Sequence, residues 1–188
     1  MADFNFYLND MIAHHRGTKE PDFYWWGHVC GVLGRYLKEA GKGKFDTIEA
    51  YWCPDNWEPT VSGSDVLVYI VPNTDYSVIA ANGGDISLAL NDTNLIGLTA
   101  TVSNICEVYY DRADVNGIVR PDVIAGAAMH EAAHVKTQKG QEMHNNQTGF
   151  FSASPSYWKS PSKSDIAFFG KIMANPVRQN GGLKTKNW

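Results

Sequence analysis

The chain has 188 residues and a mass of 20.8 kDa, which is the size of one ordinary domain. Its composition, 44% hydrophobic and 19% charged, supplies enough apolar side chains for a buried core and excludes a disordered chain. A net charge of −4 argues against nucleic acid as a partner, and the lack of an apolar run near the roughly 20 residues of a membrane helix argues against a membrane.

The first part of the chain is predicted to contain two helices and two strands. Residues 4–15 are interpreted as a short helix, and residues 22–40 as a longer one in which apolar side chains recur at helical spacing. Gly41 follows the longer helix as a stop residue. Residues 45–52 have the composition of a strand, and the apolar run at residues 65–71 predicts a buried strand.

The middle of the chain is predicted to be mostly strand. An Asn-Gly-Gly-Asp turn at residues 82–85 separates residues 77–81 from residues 86–90, which predicts a β-hairpin. Residues 96–102 and 105–110 are two further predicted strands.

A second long helix is predicted over residues 121–139, with a proline at its first position and Gly140 after its last. A loop at residues 152–164 leads to a short helix at residues 165–173. Helices, then strands, then helices predict an α+β fold. We expect a single domain, residues 1–188, in which an N-terminal subdomain (1–140) holds the sheet and residues 141–188 form a small C-terminal subdomain.

The second long helix contains the sequence His-Glu-Ala-Ala-His, in which His130 and His134 lie one turn apart on one helix face. Both imidazoles can therefore reach one metal ion, while Glu131 lies beside that face and can take a proton from water at the metal. The alternative is a solvated helix face that carries two histidines. The alanine-rich helix and the preceding strands agree with the metal-site interpretation.

A catalytic zinc ion needs a third protein ligand and leaves its fourth position to water. His144 is the first candidate, because the chain can fold back once the helix has ended near Gly140. Asp165 and Glu142 are the alternatives, and imidazole is preferred on the chemistry of zinc. The sequence thus predicts one catalytic Zn²⁺, bound by both histidines of the helix and by a residue that follows it.

The order of elements from residue 64 to residue 144 resembles the metzincin clan of zinc peptidases. It runs from a buried strand (65–71) through a glycine-containing strand (97–100) and an edge strand (105–110) to the helix with the His-Glu-x-x-His sequence. The metzincin pattern is H-E-x-x-H-x-x-G-x-x-H, whereas here Thr137 occupies the glycine position and Gly140 that of the third histidine. Gly140 and His144 restore the pattern if the helix runs one turn longer and the return loop gains one residue.

The resemblance implies a zincin-like fold, with a mixed, twisted sheet over two long helices, an active-site helix and a backing helix. It also implies a methionine in a tight turn beneath the metal. Met173 resembles that methionine, and the alternative is that it belongs to an amphipathic helix. Tyr157 follows the ligands and is a candidate donor for oxyanion stabilisation, with a loop anchor as its alternative role. A looser likeness is to the deuterolysin-type peptidases, whose third ligand is an aspartate at a similar distance after the motif.

These features predict a zinc-dependent endopeptidase that hydrolyses peptide bonds by metal-activated water, with Glu131 as general base. The substrate is expected to be a polypeptide or peptide, with a peptidoglycan stem peptide as one option, and could pair with the edge strand. The alternative function is a zincin-shaped binding or structural module, for example a virion-associated one, that binds metal without proteolysis. We expect a monomer which, lacking a signal-like N-terminus, is cytoplasmic, phage-associated or exported by a leaderless route.

Overall fold

The computed structural model of the chain describes residues 2–12, 23–54, 57, 59–157, 159–181 and 183. Among these residues it has a mixed five-stranded sheet and five α-helices, which confirms the predicted α+β class. The strands of this sheet are β1 (Phe4–Asp10), β2 (Ile48–Cys53), β3 (Val66–Val71), β4 (Gly97–Ala100) and β5 (Ile105–Tyr109). The helices are α1 (Phe23–Ala40), α2 (Val78–Ala81), α3 (Ser87–Asn91), α4 (Pro121–Thr137) and α5 (Lys163–Ile172). Two further short strands, β6 (Asp114–Val115) and β7 (Ile118–Val119), pair with each other.

The sheet has the strand order β2-β1-β3-β5-β4, so β2 and β4 lie at its two edges. β1 pairs in parallel with β2 and β3, and β3 pairs in parallel with β5. β4 runs antiparallel to β5 and occupies the edge beyond it. The prediction that residues 105–110 form an edge strand is therefore wrong, because pairing with β4 makes β5 an interior strand.

The two long helices, α1 and α4, cover one face of the sheet and enclose most of the core. Alternate residues of the strands, among them Phe6 and Val68, pack there with Leu33 of α1 and Met129 of α4 in one apolar cluster. The opposite face carries a smaller cluster that contains Tyr69 and residues of α2. α4 is thereby fixed against the sheet on the side of the edge strand β4.

The helix predicted over residues 4–15 is wrong for its first part, which forms β1; residues 13–15 lie outside the described residues. Phe4, Phe6 and Leu8 are fully buried and alternate with residues on the other face. This period of two is that of a strand. The backbone of β1 pairs on both sides, with β2 and with β3, so β1 is an interior strand of the sheet.

The hairpin predicted over residues 77–90 is also wrong, because two short helices, α2 and α3, occupy this part of the chain. The side chain of Ser77 caps α2 by accepting a hydrogen bond from the backbone N–H of Ala80. The carboxylate of Glu107, buried in β5, accepts from the N–H groups of Val78 and Ile79. The first N–H groups of a helix have no partner within the helix. Because Glu107 accepts from two of them, a side chain that is distant in sequence stabilises α2.

The other predicted helices are present, with small shifts at their ends. α1 begins at Phe23, and residue 22 of the predicted helix lies outside the described residues. α4 ends earlier than predicted because Gln138, rather than Gly140, takes the left-handed conformation that ends it, with φ 54°. In the part of the chain that the structure describes, the helices are too short or too polar to cross a bilayer.

The division into subdomains 1–140 and 141–188 stays a prediction. Side chains from both parts contribute to the larger apolar cluster, for example Leu37 of α1 and Phe169 of α5. α5 contacts α1 as well as α4. The C-terminal part therefore packs directly on the helices that back the sheet.

Candidate metal centre

Helix α4 is the platform of the site and is enclosed on nearly all sides. Every residue from Val123 to Lys136 is buried, and the helix contacts three strands as well as α1 and α5. Its small side chains permit this close packing: a Cβ on Gly126 would lie 2.8 Å from the ring of Tyr157. Close packing on nearly all sides of α4 fixes the directions of its side chains, including those of the histidine motif.

The C-terminal end of α4 turns the chain back over the histidine motif. Gln138 adopts the left-handed conformation, and the helix ends immediately before it. The reversal brings the backbone carbonyl of Lys139 to 2.8 Å from Nδ1 of His134. A 3₁₀ helix, Gln141–His144, then carries the third histidine back towards the motif.

His130, His134 and His144 converge on one point. One ring nitrogen of each lies within 4.8 Å of the corresponding atoms of the other two. Nε2 of His130 is 3.2 Å from Nε2 of His134, and the ring centroids lie 4.9 to 5.1 Å apart in the three pairs. The structure therefore brings together the three histidines that the sequence nominates as ligands, and this group could hold a metal ion.

Each of these imidazoles is oriented by a backbone carbonyl. Their Nδ1 atoms contact the carbonyl oxygens of Phe150 for His130, Lys139 for His134 (2.8 Å) and Phe151 for His144 (2.9 Å). A carbonyl oxygen only accepts, so the hydrogen-bond network assigns the proton to Nδ1. In the neutral ring Nε2 is then unprotonated, with its lone pair available. Metal-binding histidines ordinarily have an outer hydrogen bond of this kind.

Burial keeps the two histidines of α4 neutral. It lowers the pKa of His130 to about 3, with the neighbouring rings of His134 and His144 adding to the effect, and lowers the pKa of His134 to about 4. Two unprotonated Nε2 atoms thus face each other at 3.2 Å with no proton to form a hydrogen bond between them. A buried acceptor that lacks a donor costs free energy of folding. A cation coordinated by the Nε2 lone pairs of the three rings would remove this cost.

Glu131 lies beside the histidines, buried between α4 and the edge strand β4. Thr99 donates its hydroxyl to Oε2 of Glu131 at 2.8 Å. Gly97 leaves room for the carboxylate, because a Cβ there would lie 2.7 Å from Oε1. Burial raises the pKa of Glu131 to about 8, against the lowering effect of Thr99. This raised pKa favours the protonated form at neutral pH, and a cation bound by the neighbouring histidines would favour the carboxylate, the form that can accept a proton.

An open cavity of about 440 Å³ lies in front of the three histidines. Glu131 lines it together with residues 94–99, which lead into and form most of β4, and with residues 153–155. The volume lies within the range of sites that bind small ligands or parts of larger ones. The cavity also leaves the histidine group accessible from one side, as a catalytic metal requires.

Two further residues nominated from the sequence lie in different places. Tyr157 lines the cavity, with its ring edge-on to that of His130 and the centroids 6.1 Å apart. Burial raises the pKa of Tyr157 well above its ordinary value, so its hydroxyl keeps its proton, and its role as oxyanion donor stays a prediction. Met173 continues the helical conformation of α5 and places its sulfur near Gly41, and it is absent from the described residues that line the cavity. Its position agrees with the amphipathic-helix alternative.

The two alternative third ligands lie apart from the histidine group. Asp165 is buried at the start of α5, where both of its carboxylate oxygens accept hydrogen bonds from residues 150 and 162. Glu142 is exposed on the 3₁₀ helix that carries His144. Among the described residues, neither belongs to the group whose ligand atoms approach one another within 4.8 Å.

The sequence did not nominate the residues that surround the ligands. Thr99 and the three backbone carbonyls were not predicted, because their roles depend on contacts between distant segments. A signal did exist for Gly97, since a glycine inside a strand often marks the close approach of another group. Carbonyl groups occur at every position and therefore carry no such signal.

The described residues thus combine three converging imidazoles, a buried carboxyl group and an open cavity. Comparisons with protein-family models, curated proteins and solved structures find no match to this chain. What the chain does is therefore inferred from the chemistry of these residues.

Proposed function

We propose that the protein is a zinc-dependent endopeptidase. The observation that carries the proposal is the convergence of His130, His134 and His144, with each Nδ1 held by a backbone carbonyl. Glu131 beside this group supplies the carboxylate that hydrolysis needs and that a purely structural metal site does not.

The donor set suits zinc. Three imidazole ligands are the pattern of many catalytic zinc sites, which leave a fourth position to water, and the histidine group here lies beside an open cavity. Imidazole suits several transition metals but not calcium or magnesium, which prefer oxygen ligands. When bound, zinc supplies a Lewis acid that polarises the scissile carbonyl and acidifies water in the cavity.

Glu131 is the residue that moves the proton. Thr99 occupies Oε2, so Oε1 is the oxygen that takes a proton from the attacking water. The same carboxyl group then returns the proton to the departing amine. Thr99 and the close backbone of Gly97 restrict the side chain, which would hold the carboxyl group in one position for both proton transfers.

The edge strand β4 is where an extended substrate would bind. It pairs with β5 on one side only, and residues 96–99 line the cavity next to Glu131. The free backbone groups of an edge strand can pair with an extended peptide, which would place a scissile bond in front of the histidines. A polypeptide is therefore the proposed substrate class.

A zincin-like fold of the metzincin kind is part of the same proposal. It is supported by the order of elements, in which β3, β4 and β5 are followed by the helix with the histidine motif, with α1 as the backing helix. The short return from Gln138 to His144 supports a third ligand at a spacing that differs from the metzincin pattern.

Digestion of a mixed peptide library, read by mass spectrometry, tests the proposed activity. Cleavage should occur within peptides, stop after treatment with a chelator and return when zinc is added. A parallel digestion of peptidoglycan stem peptides asks whether these are the preferred substrates. A protein that binds zinc but cleaves no peptide in either experiment would instead be a binding or structural module.

The close contact of Gly97 with Glu131 gives a second test. Gly97→Ala would place a Cβ within 2.7 Å of Cγ and Oε1 of Glu131 and displace the carboxylate. We expect kcat/KM to fall about 10²-fold, because small displacements of a catalytic group cost about this much. Zinc content should stay unchanged, since the histidines are not contacted.

Gly31→Ala is the matched control for this variant. Gly31 is exposed on α1, and an added Cβ would meet nothing within 4 Å. It should retain wild-type activity. Full activity in Gly97→Ala would show that Glu131 is not confined by β4 in the way proposed.

A further inference from the structure

The 3₁₀ helix Gly149–Phe151 supplies two of the three carbonyls that orient the histidines. The carbonyl of Phe150 faces Nδ1 of His130, and that of Phe151 lies 2.9 Å from Nδ1 of His144. These two rings come from different segments, α4 and the return loop. The position of this single turn therefore sets the relative orientation of two of the three proposed ligands.

Asp165 of α5 holds this turn. Its side chain is only 3% exposed, and its Oδ1 accepts a hydrogen bond from the backbone N–H of Phe150 at 3.1 Å. Its Oδ2 accepts from the N–H and the hydroxyl of Ser162 at 2.8 and 2.7 Å, which caps the helix. One carboxylate thus joins the start of α5 to the turn.

Gly149 shows how closely the carboxylate and the turn fit. It has φ of 63°, and a Cβ at this position would lie 2.5 Å from Oδ2 and 2.8 Å from Oδ1 of Asp165. The carboxylate therefore lies directly against the backbone of the turn. This contact, together with the bond to Phe150, leaves the turn little freedom to shift.

We infer that Asp165 is a positioning residue of the metal centre, which sets metal affinity through the carbonyls of Phe150 and Phe151. The inference rests on the proposed function, since it requires that the histidines bind zinc. Asp165 acts without contacting the metal, because both of its oxygens are engaged by N–H and O–H donors. Loss of an outer partner of a metal-binding histidine costs about 10- to 100-fold in affinity.

The test compares Asp165→Ala with Ser162→Ala. Both variants remove part of the cap of α5, but only Asp165→Ala removes the acceptor for Phe150. Zinc affinity is measured by competition with a chromophoric chelator, and the thermal unfolding of each metal-free protein is recorded alongside. We expect Asp165→Ala to bind zinc about 10-fold more weakly than wild type, the lower end of the range for an outer partner, because Asp165 lies one hydrogen bond beyond such a partner. Ser162→Ala should bind zinc within about threefold of wild type.

The outcomes separate this inference from the proposed function. If the wild-type protein binds no zinc, the proposed function fails, and the inference fails with it. If the wild type binds zinc and a folded Asp165→Ala binds it equally tightly, only the inference is overturned; it is overturned also if Ser162→Ala loses as much affinity. If Asp165→Ala does not fold, Asp165→Asn is used instead, because it keeps the volume of the side chain and one acceptor oxygen. We expect Asp165→Asn to bind zinc at least about threefold more weakly than wild type. Wild-type affinity in Asp165→Asn would contradict the inference.

Discussion

Glu131→Gln is expected to keep zinc and to lose peptide hydrolysis by about 10²- to 10⁴-fold, the range of general acid–base catalysis. The amide has the volume of the carboxylate and can still accept the hydrogen bond from Thr99. It cannot take a proton from water at neutral pH, so the loss should appear in kcat. The measurement is steady-state cleavage of a fluorogenic peptide, with zinc content determined on the same sample.

Glu142→Gln is the matched control, because it makes the same chemical change at an exposed position outside the histidine group. It should cleave the peptide at the wild-type rate. Retained activity in Glu131→Gln would remove Glu131 from the mechanism. Loss of zinc in that variant would show that its carboxylate supports the metal site instead.

His144→Ala is expected to weaken zinc binding by more than about 100-fold. Loss of an outer partner of a ligand costs up to about 100-fold, and this variant removes a proposed ligand itself. Its ring is one of the three that converge within 4.8 Å, and the remaining two cannot complete a closed site. Zinc affinity is measured by chelator competition, and activity should fall in parallel at limiting zinc.

His28→Ala controls for the loss of an imidazole as such. His28 is exposed on α1 and lies outside the histidine group, so zinc affinity should not change. If His144→Ala binds zinc as tightly as wild type, the third ligand is a different residue, and the proposed return of the chain over the metal is wrong.

The long helices were predictable because their signals are local. The repeat of apolar residues in α1 and the proline at the start of α4 lie within or next to the segments concerned. The class α+β follows from the order of such segments. Boundaries were less accurate, as at Gln138, where a non-glycine residue takes the left-handed conformation.

The errors arose where distant contacts decide the local structure. β1 becomes a strand through pairing on both sides, and α2 forms where Glu107 accepts hydrogen bonds from Val78 and Ile79. The edge position of β4 depends on the pairing order of the whole sheet. β1 does contain a local signal, the alternation of Phe4, Phe6 and Leu8. The contacts that form α2 and that make β4 an edge strand have no such signature in the segments they determine.

In the candidate site, too, features set by local spacing were predictable, whereas contacts between distant segments were not. The spacing of His130 and His134 on a helix predicts that their rings share one face, and the preference of zinc for imidazole favours His144 among the residues that follow. The structure then adds what spacing alone does not contain: the carbonyl partners of each ring and the contact of Thr99 with Glu131.

The most direct test of the metal centre is X-ray absorption spectroscopy at the zinc edge on the purified protein, after incubation with zinc and removal of the excess. The proposed site predicts about one zinc per chain, with three imidazole nitrogens at about 2.0–2.1 Å and one further light ligand. A protein that retains no zinc without a chelator, or a zinc ion with sulfur ligands or only one imidazole, would contradict it.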